Sequence, residues 1–476
     1  MPPVLPHKVL PHNAGGINPP LRTYASLGYT RRTMRISQTA VIAAGGAALA
    51  LLFHQLRRWN DLTGFVVETI AAGLAAGVFY FVTLFLLEKT TDRRAAFWLI
   101  LAAALVFRLQ LLPLPPVLSD DMHRYRWEAR MQAAGWNPYA VRPEDPRLAV
   151  LREEDWEKVS GRGIPSIYPP LTELVFRAAW PLVEGVPLRT SLVLLKLPFL
   201  AADLAVMALL AWWIRASGGR NVQLAVYAWN PLLIVEFAAS GHLDPLVLLA
   251  VLASSFALLK GRHVLSTVLL AVGALIKAFP VLLLPLWLRH QGWPRTAPMH
   301  RGAARAWWGL AAGAVLVVAC VWPYRAALAQ LPETLAYYES RWQHNNASLY
   351  SLATWFSGST DLAAGLGVGV VGALALWAAA RKLDAIRGAI LLIGATLLLV
   401  PNAFAWYFTW LVPLLALVPL RDAVPWLLLT VTQFLSNHVL LEYHANGVWR
   451  FQPAYVWLTY APFFFLAVWV RVRKPS

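Results

Sequence analysis

Long apolar blocks separated by short, often basic, turns run the length of this chain. Blocks near 37–54, 62–87 and 95–113 approach or exceed the ~20 residues that a straight helix needs to cross a bilayer. A polar interval over 114–190 follows, too long for a simple connection. Further apolar blocks lie near 191–214, 222–239, 243–260, 264–288, 305–322, 360–380, 385–400, 405–420, 423–440 and 452–470. The pattern predicts an all-α polytopic membrane protein with about 12–14 transmembrane segments. It divides into a tail over 1–36, a helix pair over 37–94, a core over 95–360 and further transmembrane helices over 361–476.

Basic residues collect in cytoplasmic loops and so report orientation. Arg31, Arg32 and Arg35 precede the first block, and Lys89, Arg93 and Arg94 follow the second, which places 114–190 outside. The later clusters are Arg215/Arg220, Lys260/Arg262, Arg289 to Arg305, Arg381/Lys382/Arg387 and Arg471/Arg473/Lys474. All of them reach the cytoplasmic side under two conditions. The stretch after Pro169-Pro170, with Glu173 and Arg177 and ending near Val183, must be a re-entrant or interfacial helix of the outer loop. The 264–288 block must enter and return, breaking at Lys277-Ala278-Phe279-Pro280, where proline removes a backbone donor and crowds the preceding turn. Each half then measures ~16–20 Å, short of a crossing, with Lys277 at the apex. Both termini are expected in the cytoplasm, and 114–190 and 323–359 form two sizeable external loops on one side.

Composition agrees. Hydrophobic residues make up 58% and charged residues 14%, against roughly 25% charged in soluble domains, so there is too little polar surface for a water-soluble fold. The net charge of +17 raises a nucleic-acid partner, but the cations sit at block ends and no soluble stretch interleaves them with aromatics. Nucleic acid is therefore excluded as a partner. Membrane lipids and a phosphate-bearing substrate suit such cations. The single cysteine, Cys320, forms no internal disulfide and builds no metal site by itself. The first ~36 residues lack a compact apolar core ending in a cleavage site and read as a cytoplasmic tail.

The richest chemistry lies between Ser119 and Tyr139. Ser119 followed by Asp120 and Asp121 reads as a helix start, and Gly135 with Asn137-Pro138 as its stop. On that helix Asp121, Tyr125 and Glu128 share a face. The two acids either cap the helix or, at the outer interface, present a carboxylate that accepts a proton from a hydroxyl nucleophile.

The string Asp120-Asp121-x-x-Arg124-Tyr125-x-Trp127-Glu128-x-Arg130-x-Gln132-Ala133-Ala134-Gly135-x-Asn137-Pro138-Tyr139, followed by Ile167-Tyr168-Pro169-Pro170-Leu171, resembles the first external loop of polyprenol-phosphate-mannose-dependent glycosyltransferases. These belong to the superfamily with the C-type glycosyltransferase fold, near glycosyltransferase family 87. Further matching strings are Tyr227-Ala228-Trp229-Asn230-Pro231-Leu232, Ser240-Gly241-His242-Leu243-Asp244 and Lys277-Ala278-Phe279-Pro280. Trp342 with Asn345-Asn346-Ala347-Ser348-Leu349-Tyr350, and Trp406-Tyr407, extend the likeness over about residues 100–420. Each string is weak; their order is specific. The resemblance implies an inverting transfer of a hexose, as in mannosyltransferases, from a polyprenyl-phosphate-linked donor to a lipid, glycan or protein acceptor outside a bacterial plasma membrane. It implies an aspartate as general base, Asp121 in preference to Asp120, and no nucleotide-binding loop. Two departures stand out. Relatives carry His-Pro or Pro before the Trp-Tyr pair, where this chain has Phe404-Ala405, which leaves a contact near Trp406 open. The first two blocks look like an addition to the usual core.

Charges inside apolar blocks pair with one another or line a polar cavity, since each costs ~2.5–3.5 kcal/mol at the bilayer centre. Lys196 and Asp203 pair across two turns, or Lys196 faces the carrier phosphate. Lys277 binds that phosphate or snorkels to the interface. His242 and Asp244 sit at an external turn, where a histidine shuttles protons, ligates metal or bonds the turn. Arg124 and Arg126 hold phosphate or pair with Glu128 and its neighbours. Trp127, Trp136, Tyr139, Tyr168 and Trp342 stack on sugars or form an interfacial belt. Candidate substrate contacts are thus Arg124, Tyr125, Tyr168, Lys196, His242, Asp244, Lys277, Trp342, His344 and Asn345. No cofactor is implied. A divalent metal held by His123, His242 and His344 with Asp120 or Asp121 is conceivable but lacks helical His-x-x-x-His or His/Cys spacing. The rival function is a transporter or flippase of lipid-linked sugar, which would show repeats with paired broken helices, whereas one broken hairpin and no repeat is evident. An inactive scaffold is a third reading, against which the acidic pair stands.

Overall fold

In a computed structural model of the protein, α1 (Gln38–Trp59), α2 (Val66–Lys89) and α3 (Arg94–Leu111) lead into a short polar helix, α4 (Asp121–Ala133). Loops with 3-10 turns carry the chain to α5 (Pro170–Ala179), then α6 (Leu188–Ala216), α7 (Asn221–Ala228) and α8 (Pro231–Ile234), which a π-helical turn extends over Val235–Ala239. Next come α9 (Asp244–Leu259), α10 (His263–Ile276), α11 (Leu284–His290), α12 (Arg301–Val321), α13 (Leu331–Arg341) and α14 (Ser348–Ser357). The chain closes with α15 (Thr360–Ala380), α16 (Ala385–Leu399), α17 (Val412–Leu415), α18 (Leu420–Thr432), α19 (His438–Asn446) and α20 (Pro453–Val472). The structure describes residues 37–116, 118–292, 301–341 and 348–472, with only the backbone of 301–304 and 339–341. It is 79% helical, with no strand among the described residues.

The protein is an all-α, polytopic integral membrane protein. Among the described residues, 8 helices are long and apolar enough to cross a bilayer, or up to 9 with the bent pair α7–α8. The segment count along the sequence also includes shorter apolar helices: α9, α10, α16 and Ala405–Leu415.

Two breaks shape the interior. Between α7 and α8 the chain bends by 44°. Pro231 brings no N–H to the new helix, and the Asn230 side chain accepts from Leu233 N–H at 3.1 Å as its cap. This break was not evident in the apolar block 222–239. The second is the hairpin at Lys277, whose backbone is extended (φ −154°, ψ 136°). Gln291, beyond α11, returns to donate to Thr267 near the start of α10, so the chain does double back. Thr172 of α5 donates to the last α10 carbonyl, Ile276, at 2.8 Å, setting α5 against the apex.

Within the segment expected as the second external loop, 323–359, the residues up to Tyr338 belong to a 34-residue helical run, Arg305–Tyr338, passing through a tight turn over Trp322–Gln330. Pro323 occupies the first turn of that segment, where a missing N–H is tolerated, and the alanines and leucine after it favour helix. Tyr324 reaches α4, donating from its hydroxyl to Gln132 Oε1 at 2.8 Å and packing on Tyr139.

A charged staple lies in the buried core. Arg108 of α3 pairs with Asp203 of α6 (Nε–Oδ2 2.5 Å, Nη2–Oδ1 3.2 Å), and Tyr227 of α7 donates to Asp203 at 2.7 Å. All three side chains are buried. Trp229 adds an indole bond to the Ile100 carbonyl at 3.0 Å. The Tyr227–Leu232 string therefore fastens α3, α6 and α7 together.

Polar groups divide between two ends. At one end Arg220 binds Glu88 and Asp92, Gln38 binds Asp92, His290 meets the Leu383 carbonyl and Arg387 meets Asp422. The other end holds α4, α5, the hairpin apex and Tyr324. The hairpin apex and Tyr324 thereby reach the same end as α4 and α5.

Candidate active site

Helix α4 opens at Asp121, whose N–H donates to the Ser119 hydroxyl oxygen at 3.3 Å. Asp120 occupies the N-cap position, yet its side chain makes no capping bond. The stop is as expected: Gly135 has φ +86°, and the Gly135 and Trp136 amides donate to the Gln132 and Met131 carbonyls. Neither acid is consumed by helix capping. The protein packed around Asp120, and then the charge of Asp121, push the Asp120 carboxyl up to about 7, although one face stays open to solvent.

Asp121 keeps 25% of its side chain exposed. The Tyr125 hydroxyl donates to its Oδ2 at 3.3 Å, and His242 Nδ1 lies 3.5 Å away. Tyr125 is fixed by stacking on Phe176 (centroids 4.6 Å) and by edge contact with Tyr168 (5.4 Å). Tyr168 and Tyr338 both feel the Asp121 charge, which brings α13 to the same chamber.

The 240–244 loop forms the next wall. Gly241 has φ +79°, and a side chain there would meet Lys196 Cγ and Met122 Sδ at 2.9 Å, so glycine lets the loop press onto α4 and α6. This contact delivers His242, fully buried, between Asp121 and Glu236 (Nε2–Oε2 3.2 Å). Among the described residues neither nitrogen makes a well-aligned hydrogen bond, so these are ionic contacts. Burial alone would lower the His242 pKa, but the two carboxylates raise it to about 9. Trp406 stacks flat on the ring at 4.0 Å, and Phe404 stacks on Trp406 at 4.6 Å.

A second cluster adjoins the first. Lys277 Nζ donates to Asp244 Oδ1 at 2.8 Å, and Trp410 Nε1 donates to the same oxygen at 2.6 Å. The ammonium lies 4.3 Å from the Tyr407 ring centroid and 5.1 Å from that of Trp410. Phe279 stacks on Trp410 at 4.1 Å. From here an apolar cavity of about 310 Å³ runs off, lined by Ala278, Phe279, Val281, Leu282, Thr396, Leu397, Val400, Tyr407 and Trp410. The carboxylate cluster and the cation cluster are joined by two short links, 242–244 and 406–410.

The family described as alpha-(1->6)-mannopyranosyltransferase, N-terminal domain, matches residues 32–290. The chain belongs to this family. Alpha-(1->6)-mannopyranosyltransferase A of Mycobacterium tuberculosis (strain ATCC 25618 / H37Rv) is 24% identical over 394 residues, covering 76% of this chain and 72% of that relative. No solved structure matches. The mannosyltransferase match includes α1 and α2, which the sequence reading set apart as an addition.

Within this mannosyltransferase the expected residues separate into two groups. Asp120, Asp121, Tyr125, Tyr168, His242, Asp244 and Lys277 surround one chamber. Lys196 and Arg124, also expected at the substrate, stand apart from it with their donors on other groups. Lys196 is fully buried and donates to the Leu114 and Ala239 carbonyls at 2.6 and 2.5 Å, with Leu112 and Ala238 at 3.4 Å. It pairs with no Asp203, because Arg108 holds that carboxylate. Arg124 binds Glu128 and the Ser160, Gly161 and Ile164 carbonyls, fastening the loop to α4 and turning Glu128 away from Asp121. Arg126 likewise clamps Glu153, Asp155 and Ser191. His123 contacts Asp155 at 3.1 Å, away from His242. Among the described residues no three His, Cys, Asp or Glu groups converge as metal ligands. Trp342, His344 and Asn345 lie outside the described residues. Sequence reasoning missed Glu236, Trp410 and Phe279; an acid inside the 222–239 apolar block was the available signal for the first.

Proposed function

We propose that this mannosyltransferase moves mannose, with inversion, from a polyprenyl-phosphate carrier to an acceptor hydroxyl on the outer face of a bacterial plasma membrane. The carrying observation is that a part-exposed carboxylate, Asp121, and a part-exposed cation, Lys277, contact the two ends of one short loop, at His242 and Asp244, beside an apolar groove. Asp121 takes the proton from the attacking hydroxyl as the anomeric carbon–phosphate bond breaks. Lys277 neutralises the departing phosphate, and the groove beside it receives the first isoprene units. The aromatic walls, Tyr125, Tyr168 and Trp406, bracket the sugar. Asp244 holds Lys277, and its second oxygen, buried and without a hydrogen-bond partner among the described residues, accepts from a substrate hydroxyl.

Orientation follows from the arginine-rich end formed by Arg220, Arg387 and their neighbours, which we assign to the cytoplasm together with both termini. The catalytic unit comprises 95–360, flanked by the 37–94 pair and the 361–476 helices. The acceptor is the hydroxyl of a glycan in lipid-bound, free or protein-bound form. Asp121→Asn tests the reading directly. Transfer from polyprenyl-phosphate mannose should fall at least about 100-fold while donor binding persists. Transfer at near wild-type rates would overturn it.

A further inference from the structure

One charged group outside this mechanism is pressed against it. Glu236 sits in the π-helical turn Val235–Ala239, a device that re-aims side chains within a helix. Its carboxylate is buried, and among the described residues its ionic partner is the His242 ring. The loop folds back onto this turn: the His242 N–H donates to the Glu236 carbonyl at 3.1 Å, and the Ser240 N–H to Val235 at 3.0 Å.

A neutral imidazole carries one N–H and serves one acceptor. Here a carboxylate faces each nitrogen, an arrangement that favours the doubly protonated ring. A line of negative, positive and negative charge thus runs from Asp121 through His242 to Glu236. The other groups facing the ring do not replace Glu236. Asp120 and Asp121 approach from α4 on the Nδ1 side. Asp244 is committed to Lys277 and Trp410, and the Lys196 ammonium is turned into its carbonyl cage. Trp406 covers one face of the ring and supplies no charge.

We propose that Glu236 is a positioning residue for Asp121, acting through His242: its buried carboxylate keeps the imidazole charged and in place, and the charged ring keeps Asp121 ionised beside the second acid, Asp120. The inference rests on Asp121 being the base. Without Glu236 the buried ring loses its second counter-charge and becomes neutral, and Asp121 then binds a proton more readily. Because the base works ionised, the acid limb of the pH profile moves to higher pH.

The test is kcat/KM for mannose transfer against pH, measured on wild type, Glu236→Gln, Glu236→Asp, His242→Asn, the Glu236→Gln/His242→Asn double variant and Asp121→Asn. Glu236→Gln should move the acid limb upward by about one pH unit, a roughly tenfold larger loss on the limb than on the plateau. Donor KM should stay within about twofold by the same arithmetic. Glu236→Asp should keep the wild-type limb. In the His242→Asn background, Glu236→Gln should add no further shift. A Glu236→Gln profile that overlays wild type, falls equally at every pH, or shifts regardless of His242 would overturn the proposal. Should Glu236→Gln not fold, a moved limb in His242→Asn with a kept limb in Glu236→Asp supports it, and an unmoved limb in His242→Asn refutes it. Active Asp121→Asn would remove the base assignment itself; inactive Asp121→Asn with an unmoved Glu236→Gln limb would remove only this inference.

Discussion

Replacing Lys277 by Met separates its two roles, as partner of Asp244 and as ligand of the carrier phosphate. Asp244 is fully buried, and without Lys277 its described hydrogen-bond partner is the Trp410 indole. Breaking a buried pair from one side costs ~3–5 kcal/mol. Lys277 keeps 21% of its side chain exposed, so screening places the loss near the lower bound, about 3 kcal/mol. The double variant Lys277→Met/Asp244→Asn removes both charges and keeps an acceptor for Trp410, and should recover stability to within about 1 kcal/mol. The phosphate contact behaves differently. A hydrogen bond to a charged group contributes ~1.5–3 kcal/mol, so donor KM should rise roughly 10- to 150-fold. That rise should persist in the double variant. Thermal unfolding in detergent reads the first quantity, and transfer against polyprenyl-phosphate mannose concentration reads the second. If the double variant recovers stability and also returns donor KM to within about threefold of wild type, Lys277 is structural and the phosphate assignment is refuted.

Two further outcomes follow from the same geometry. Asp203→Ala leaves Arg108 charged in the core and the Tyr227 hydroxyl without its acceptor, and should cost at least ~3–5 kcal/mol in thermal or denaturant unfolding; Arg108→Met/Asp203→Leu/Tyr227→Phe should recover most of it. Val281→Trp, on an exposed rim of the apolar groove, should weaken long-chain donors roughly tenfold, as for two excluded methylenes at ~0.8 kcal/mol each. Donors with chains too short to enter the groove should be unaffected, which a KM comparison across chain lengths checks.

The sequence pattern carried the helical class, the short polar helix α4 and the reversal at Lys277, because each depends on local chemistry. Apolar blocks specify membrane helices, a Ser-Asp-Asp start and a Gly135 stop bound α4, and Pro280 forbids a continuous helix. The break at Asn230-Pro231 is just as local, but it lies inside an unbroken apolar block and hydropathy is blind to it. The helical course of 323–338 was lost for the opposite reason: moderate polarity read as loop, although residues such as Ala326 and Ala327 favour helix and Tyr324 had a distant partner in Gln132. The motif strings come together in space, yet their members divide. Asp121, His242 and Lys277 face the chamber, whereas Arg124, Tyr227 and Trp229 hold its walls.

The intramembrane cations show what spacing leaves out. Lys196 and Asp203, seven residues apart on one helix, looked like partners, but Asp203 is held by Arg108, 95 positions earlier in the chain. Lys196 is satisfied by four carbonyls supplied by the ends of two other segments. A cation so enclosed cannot meet a phosphate without abandoning those oxygens, and a buried carbonyl left unpaired costs free energy in turn. Lys277 gives one bond to Asp244 and otherwise lies against aromatic faces, which attract a cation without taking its hydrogens. An ammonium has three donors, so bonds remain for an incoming anion. Partner chemistry around the nitrogen, more than the residue's depth in the bilayer, is what separates Lys277 from Lys196.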